Sequence, residues 1–240
     1  KNIFEKESQI LATTVAIPNG VDLDKYHPVT PNGKSVLRNK LNIAEDKFVI
    51  LFPSHLKISR GTNYIYDWIR ETRKLIPNAL FVVTGKNFLS ERGNSKALLN
   101  SLNEFNNCIW LQGVPHDEMV KWYQVSDIAL IPSLWPEGMS MASIEAMASG
   151  LPVIATNHGA FKDYIFHQYN GWLCSPENIF HEGLAALQKL NSDTNLLRNL
   201  SENALSYARN RLSRERSLSN FKAFFDKRLI DIDSDLSIPN

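Results

Sequence analysis

Short, continuous apolar runs recur along the middle of the chain, each followed by a turn and an amphipathic stretch. Phe48–Pro53 is the first such run. Asn63–Leu75 follows, with Ile65, Trp68, Ile69 and Leu75 at helical spacing. The alternation continues through a strand at Leu80–Thr84, a helix at Glu91–Phe105 carrying Leu98, Leu99 and Leu102, a strand at Cys108–Leu111 and a short helix at Asp117–Val125. A strand at Ile128–Pro132, a helix at Ser140–Ser149 and strands at Pro152–Thr156 and Gly171–Cys174 complete it. Strands that are apolar along their whole length are buried on both faces. With helices between them, they predict a parallel sheet covered on both sides. Right-handed crossovers make this a doubly wound, Rossmann-like α/β domain.

The ends differ. Residues 1–17 read as a helix followed by a strand at Thr14–Ile17. Beyond Pro176 the pattern becomes three successive helices, Ile179–Leu190, Thr194–Arg211 and Glu215–Ile230, and the polar Asp231–Asn240 reads as a frayed tail.

Charge narrows the function. Among 240 residues, 26 Lys+Arg face 25 Asp+Glu, a net charge of +1. That balance argues against attachment to nucleic acid or an anionic membrane by bulk charge. The longest apolar runs are strand-sized, short of the roughly 20 residues a membrane-spanning helix needs. Cys108 and Cys174 make no disulfide framework and read as buried thiols in a reducing compartment. Lys1 is neither an initiator Met nor part of a signal peptide, so the chain reads as a piece of a longer protein.

In an open parallel sheet, ligands sit beyond the carboxyl ends of the strands. No Gly-x-Gly-x-x-Gly follows any strand, and Gly85-Lys86 lacks the rest of a phosphate loop. The informative segment runs from Pro132 to Gly150. A strand ends at Pro132, Glu137 sits in the following loop, a helix begins near Ser140, and Glu145 lies about one and a half turns inside it. The N–H groups of residues 138–141 suit a diphosphate. Carboxylates on either side suit hydroxyls, so the arrangement fits a sugar nucleotide. Plainer readings also fit. Glu137 is then an acidic helix start, Glu145 lies on a solvated face, and Met139, Met141 and Met147 are packing.

Glu137 and Glu145 form a Glu-x7-Glu pattern within Pro-Glu-Gly-Met-Ser…Ile-Glu-Ala-Met-Ala-Ser-Gly-Leu-Pro-Val-Ile-Ala-Thr. This resembles the retaining glycosyltransferases of group 1 (family 4), which have the GT-B architecture of two Rossmann-like domains. Ile17-Pro-Asn-Gly-Val-Asp22 resembles that family's interdomain segment. Ser54-His-Leu-Lys-Ile-Ser-Arg-Gly61 falls at its phosphate-binding loop, and Phe81–Gly85 and Leu111–Val114 at the loops flanking the base. The resemblance covers about residues 15–190.

It implies that Glu145 holds the ribose, Glu137 the transferred sugar, and the amides of Gly138, Met139, Ser140 and Met141 the diphosphate. Arg60 stands where the family has Lys and would neutralise the leaving diphosphate. His55 stands where it has Arg, which removes one fixed cation. Gly85 and Val114 would lie beside the base. The implied reaction is sugar transfer with retention, in glycan or polysaccharide biosynthesis, with no metal and no other cofactor. Asp22-Leu-Asp24 and Asp231-Ile-Asp233 read as chance matches to a metal motif.

The resemblance also implies a domain plan. Residues 1–20 end a missing N-terminal acceptor domain, 21–214 bind the donor, 215–230 cross back, and 231–240 fray. Phe221, Phe224, Phe225 and Leu229 would then dock on the missing domain. The expected partners are the sugar nucleotide and that domain, without nucleic acid, and with membrane contact only through that domain. The expected location is the cytoplasm, including the inner face of a membrane. Two alternatives stand beside the transferase: a non-catalytic sugar-nucleotide module, motivated by His55, and a sugar-nucleotide epimerase. His27, His116, His158, His167 and His181 read as surface or loop residues, with a sugar contact at His158 as a lesser idea.

Overall fold

The computed structural model describes residues 15–86, 102 and 104–235, with side chains to residue 226. Most of the helix expected at Glu91–Phe105 lies outside these residues, as do most of the first 17 and the end of the tail. The elements in chain order are α1 (Pro31–Lys40), β1 (Phe48–Phe52), α2 (Thr62–Leu75), β2 (Ala79–Val83), β3 (Cys108–Trp110), α3 (Met119–Val125) and β4 (Ile128–Ile131). Then come α4 (Met141–Ala148), β5 (Val153–Thr156), α5 (Phe161–Tyr164), β6 (Gly171–Cys174), α6 (Ile179–Ser192), α7 (Thr194–Arg211) and α8 (Arg214–Asp235).

The six strands form one sheet, in the order β3-β2-β1-β4-β5-β6, and every pairing is parallel. Successive side chains feed two cores. Val49, Leu51, Val82, Ala129 and Val153 face one, with α3, α4 and α7 packed on it. Ile50, Phe52, Phe81, Leu130 and Ile154 face the other, under α2 and α6. The strands could be read from the sequence because both faces are covered.

Three details correct the sequence reading. Residues 15–17 form no strand. The last helix runs on to Asp235, past its expected end at Ile230. Helix α1 was not expected. Thr30 caps it by accepting the Gly33 N–H at 3.1 Å, and Pro31 fills its first turn.

The side chain of α1 that reaches the interior is Arg38, only 5% exposed. All five of its N–H donors are used, on the carbonyls of Val125, Glu45 and Lys47 and on Asp127. Asp127 also accepts from Lys34 at 2.7 Å and from the Val49 N–H at 2.7 Å. This network closes the amino ends of β1 and β4, away from the loops at their carboxyl ends. Val21 bridges to Ser213, which ties residues 20–22 to the start of α8. On α8, Phe221 and Phe225 are exposed.

Candidate functional site

Strand order reverses between β1 and β4, which places a crevice between the loops that leave them. The loop after β1 runs through Pro53 to a 3-10 turn at Ile58–Arg60, and the loop after β4 runs from Pro132 to Ser140. The Leu134 N–H donates to the Ser59 carbonyl at 2.8 Å and joins the two. The Arg60 guanidinium pairs with the Glu137 carboxylate, and the Ser133 hydroxyl donates to the same oxygen of Glu137. The Ala160 N–H donates to the Glu137 carbonyl at 2.9 Å. Gly159, at φ +58°, lets the chain come this close, since a Cβ there would meet the Glu137 carbonyl at 2.5 Å. The Nε2–H of His158 donates to the Ser133 carbonyl at 2.7 Å, so its ring is committed to this loop.

Helix α4 starts inside the same loop. Ser140 is its N-cap but makes no capping bond with its side chain. Its carbonyl instead accepts from the Ser143 hydroxyl at 2.7 Å, which also meets the Tyr164 phenol at 2.7 Å. The first-turn N–H groups of α4 thus get nothing from the cap side chain. Burial, the largest effect, holds the Tyr164 phenol up at about 12.

Glu145 lies one turn further on and is 6% exposed, which removes the solvated-face reading. Its Oε2 accepts from the Tyr123 phenol at 3.0 Å, and its Oε1 lies 3.2 Å from His116 Nε2. Burial first, and then the Glu145 charge, raise both the Tyr26 and Tyr123 phenols above their ordinary value. Both therefore stay protonated and can donate.

A cleft of about 520 Å³ opens along these groups. His55, Gly85, Val114, Met141 and Glu145 line it together. At Gly85 a side chain would collide with the Ser54 carbonyl, so glycine is what lets these two loops touch. His55 Nδ1 accepts from the Lys86 N–H at 3.2 Å, which leaves the ring hydrogen on Nε2. Burial first, then the charges of Lys57, Lys86 and Arg60, lower its pKa and keep the ring neutral.

The remaining expected residues stand apart from this cleft. Arg60 and Glu137 satisfy each other beside it. Met139 lines a second cleft of about 680 Å³, with Ile17, Pro18 and Tyr207. A Cβ on Gly138 would meet nothing within 4 Å, so the fold leaves open space there.

Four site groups were missed in the sequence: Tyr123, His116, Lys25 and Tyr26. His116 reads as a surface residue and its side chain is indeed exposed, but it faces the cleft and Glu145. Its position just past the carboxyl end of β3 was the available signal. Asp22, part of the discounted Asp-x-Asp, accepts from the Asp24 and Lys25 N–H groups at 3.1 Å and shapes their turn. Among the described residues, no cluster of His, Cys, Asp and Glu could hold a metal ion. Among them also, no helix is long and apolar enough to cross a membrane.

The family model for glycosyl transferases group 1 matches residues 33–207. The chain belongs to that family. A lipopolysaccharide 1,2-N-acetylglucosaminetransferase of Salmonella typhimurium is 29% identical to this group 1 chain over 174 residues, 70% of this chain and 45% of the relative. The solved structure of Anabaena HepE in complex with UDP and glucose matches with a TM-score of 0.77 at 23% identity, over 88% of this chain and 56% of that one. The C-terminal domain of a glycosyl transferase group 1 family protein from Francisella tularensis matches with a TM-score of 0.68 at 24% identity, over 81% of this chain and 99% of that domain. At these identities, the two structures establish the shared GT-B half-fold. The group 1 chain spans about half the length of the curated relatives it matches, 45% and 52% of the first two.

Proposed function

We propose that this chain is the donor-binding half of a retaining, family 4 glycosyltransferase. It would move a sugar from a nucleotide-diphosphate sugar to an acceptor hydroxyl in glycan or polysaccharide biosynthesis. One observation carries the proposal: a buried carboxylate, Glu145, held by Tyr123 in the wall of a cleft, one turn inside a helix whose cap side chain leaves the first turn open. A carboxylate there repels phosphate and accepts from neutral hydroxyls, while the helix start attracts phosphate. Ribose on Glu145 and diphosphate on the amides of residues 138–141 satisfy both. Gly85 and Val114 then flank the base, Glu137 takes the transferred sugar, and Arg60 meets the leaving diphosphate.

The Anabaena neighbour, solved with UDP and glucose, supports this ligand class. The match to a C-terminal domain, and the half-length coverage of the relatives, support a preceding acceptor domain. In the reaction, the anomeric C–O bond breaks and its electron pair stays on the diphosphate. The acceptor oxygen bonds the anomeric carbon on the same face, and its proton passes to the departing phosphate. Arg60 and the helix start meet the developing charge, a scheme that calls for no metal.

Calorimetry of this chain against UDP-, GDP- and ADP-sugars tests the reading. One of them should bind, and Glu145→Ala and Arg60→Ala should each weaken it about tenfold or more. Unchanged affinity in both variants would contradict the assignment. The neutral His55 ring favours a second reading, a non-catalytic binding module. Ordinary donor binding by the whole protein, with no turnover on any donor, would select it.

A further inference from the structure

The ribose assignment leaves a question of geometry. A buried carboxylate can rotate, and only one orientation presents both oxygens to a diol. What fixes Glu145 can be read from hydrogen-bond roles. Lys25 Nζ lies 3.2 Å from His116 Nδ1 and 2.6 Å from Asp117 Oδ1. An ammonium only donates, so Nδ1 must accept, and the neutral ring carries its hydrogen on Nε2. Nε2–H faces Glu145 Oε1 at 3.2 Å, which only accepts, and the Tyr26 phenol oxygen at 3.0 Å. The single Nε2–H therefore serves Oε1 directly or through the Tyr26 phenol, which itself hydrogen-bonds Glu145, while Tyr123 donates to Oε2. An ionised carboxylate offers about four acceptor positions, and one donor on each oxygen, Tyr123 on Oε2 and the His116–Tyr26 pair on the other, leaves one on each. A cis-diol supplies one O–H for each.

We propose that His116, set in its Nε2–H tautomer by Lys25, is the positioning residue of the ribose site. With Tyr123 it locks the Glu145 carboxylate so that the site demands both ribose hydroxyls. This rests on the reading of Glu145 as the ribose ligand. The chain Lys25–His116–Glu145 joins the turn at residues 22–26, the 3-10 turn at His116–Glu118 and helix α4. The ribose site is thus built across three separate segments. His116 can be changed without emptying the core, because its side chain is 68% exposed.

The test is calorimetry with UDP, 2′-deoxy-UDP and 3′-deoxy-UDP, and with the GDP set in parallel, on the unaltered chain and on His116→Ala, His116→Gln, Lys25→Met and Glu145→Gln. The unaltered chain should prefer the ribonucleotide about tenfold or more over each deoxy analogue. His116→Ala should bring that preference to about threefold or less, at an unchanged melting temperature. His116→Gln, whose amide can donate from the same side, should restore most of it. Lys25→Met should lower it, and 15N spectra should show the Nε2–H tautomer of His116 only while Lys25 is present. If Glu145→Gln abolishes the preference but His116→Ala leaves it intact, the positioning role is wrong and the ribose reading stands. If Glu145→Gln also changes nothing, the ribose reading itself fails. An Nδ1–H tautomer in the unaltered chain would overturn the role of Lys25.

Discussion

Arg60 and Glu137 form an ion pair across the two loops that leave β1 and β4, and the Ser133 hydroxyl shares the Glu137 oxygen. Both residues are assigned to the donor, one to the diphosphate and one to the sugar. In this structure they hold each other. The pair keeps two charged groups in place before the donor arrives, and the diphosphate would then compete with Glu137 for Arg60. The Arg60 side chain is more than a third exposed, so the pair adds about 1 kcal/mol or less to stability. Arg60→Ala should therefore leave the urea midpoint nearly unchanged and weaken UDP-sugar binding about tenfold or more. A large loss of stability without a loss of binding would make Arg60 structural.

The glycines beside this pair separate ligand space from backbone packing. Gly138→Ala adds a methyl group where nothing lies within 4 Å, so stability should change by about 0.5 kcal/mol or less. Gly159→Ala places a Cβ 2.5 Å from the Glu137 carbonyl at φ +58° and should cost about 1–3 kcal/mol. Donor binding should fall in both variants, in Gly138→Ala with the fold intact. Chemical denaturation and calorimetry on the same samples check this.

His55 gives the site a pH response. Burial and the nearby cations lower its pKa in the free chain. A bound diphosphate favours the charged ring, so the pKa rises on binding. Between the free and bound values, binding takes up a proton and tightens as pH falls. UDP-glucose is the suitable probe, because its diphosphate diester does not itself titrate there. Calorimetry below pH 7 in buffers of different ionisation enthalpy should show the uptake, and His55→Gln should remove that part of it.

The Arg38–Asp127 network is a structural control. Asp127→Ala would leave a buried guanidinium short of its charge partner and should cost about 3–5 kcal/mol. The network sits at the amino ends of the strands, so donor affinity of the folded fraction should not change. Denaturation curves with and without UDP measure both quantities.

Burial pushes the thiols of Cys108 and Cys174 up to about 12, from an ordinary 9.0. Above pH 9 the unfolded chain releases these protons while the folded chain keeps them. The folded state then binds more protons, and stability falls as pH rises from 9 towards 12. The raised tyrosine phenols act in the same direction. Urea midpoints between pH 8 and 10.5 should fall less steeply in Cys108→Ala than in the unaltered chain. In the folded protein both thiols should resist alkylation at pH 8.

The strands and the Glu-x7-Glu helix were legible because their signals are local. Gly171–Cys174 and Thr194–Arg211 match residue for residue, the first a short apolar run bounded by Asn170 and Ser175, the second a long amphipathic period. Helix α1 was not legible. Its only deeply buried side chain is an arginine, and half of what makes that burial tolerable, the Val125 carbonyl and the Asp127 carboxylate, lies 87 and 89 positions away. The chemistry divides in the same way. Glu145 stood out by its spacing from Glu137, but its partners did not. His116 is 29 positions away, and Lys25 is a further 91 positions from His116. Three dispersed segments with no common motif give no periodic signal, and only the fold brings them together.

The most direct measurement is a crystal structure of this chain with whichever of UDP, GDP and ADP binds tightest. Both ribose hydroxyls should lie on the Glu145 carboxylate and the diphosphate on the amides of residues 138–141, with Arg60 turned from Glu137 towards it. A nucleotide seated elsewhere, or a ribose that does not touch Glu145, would contradict this placement.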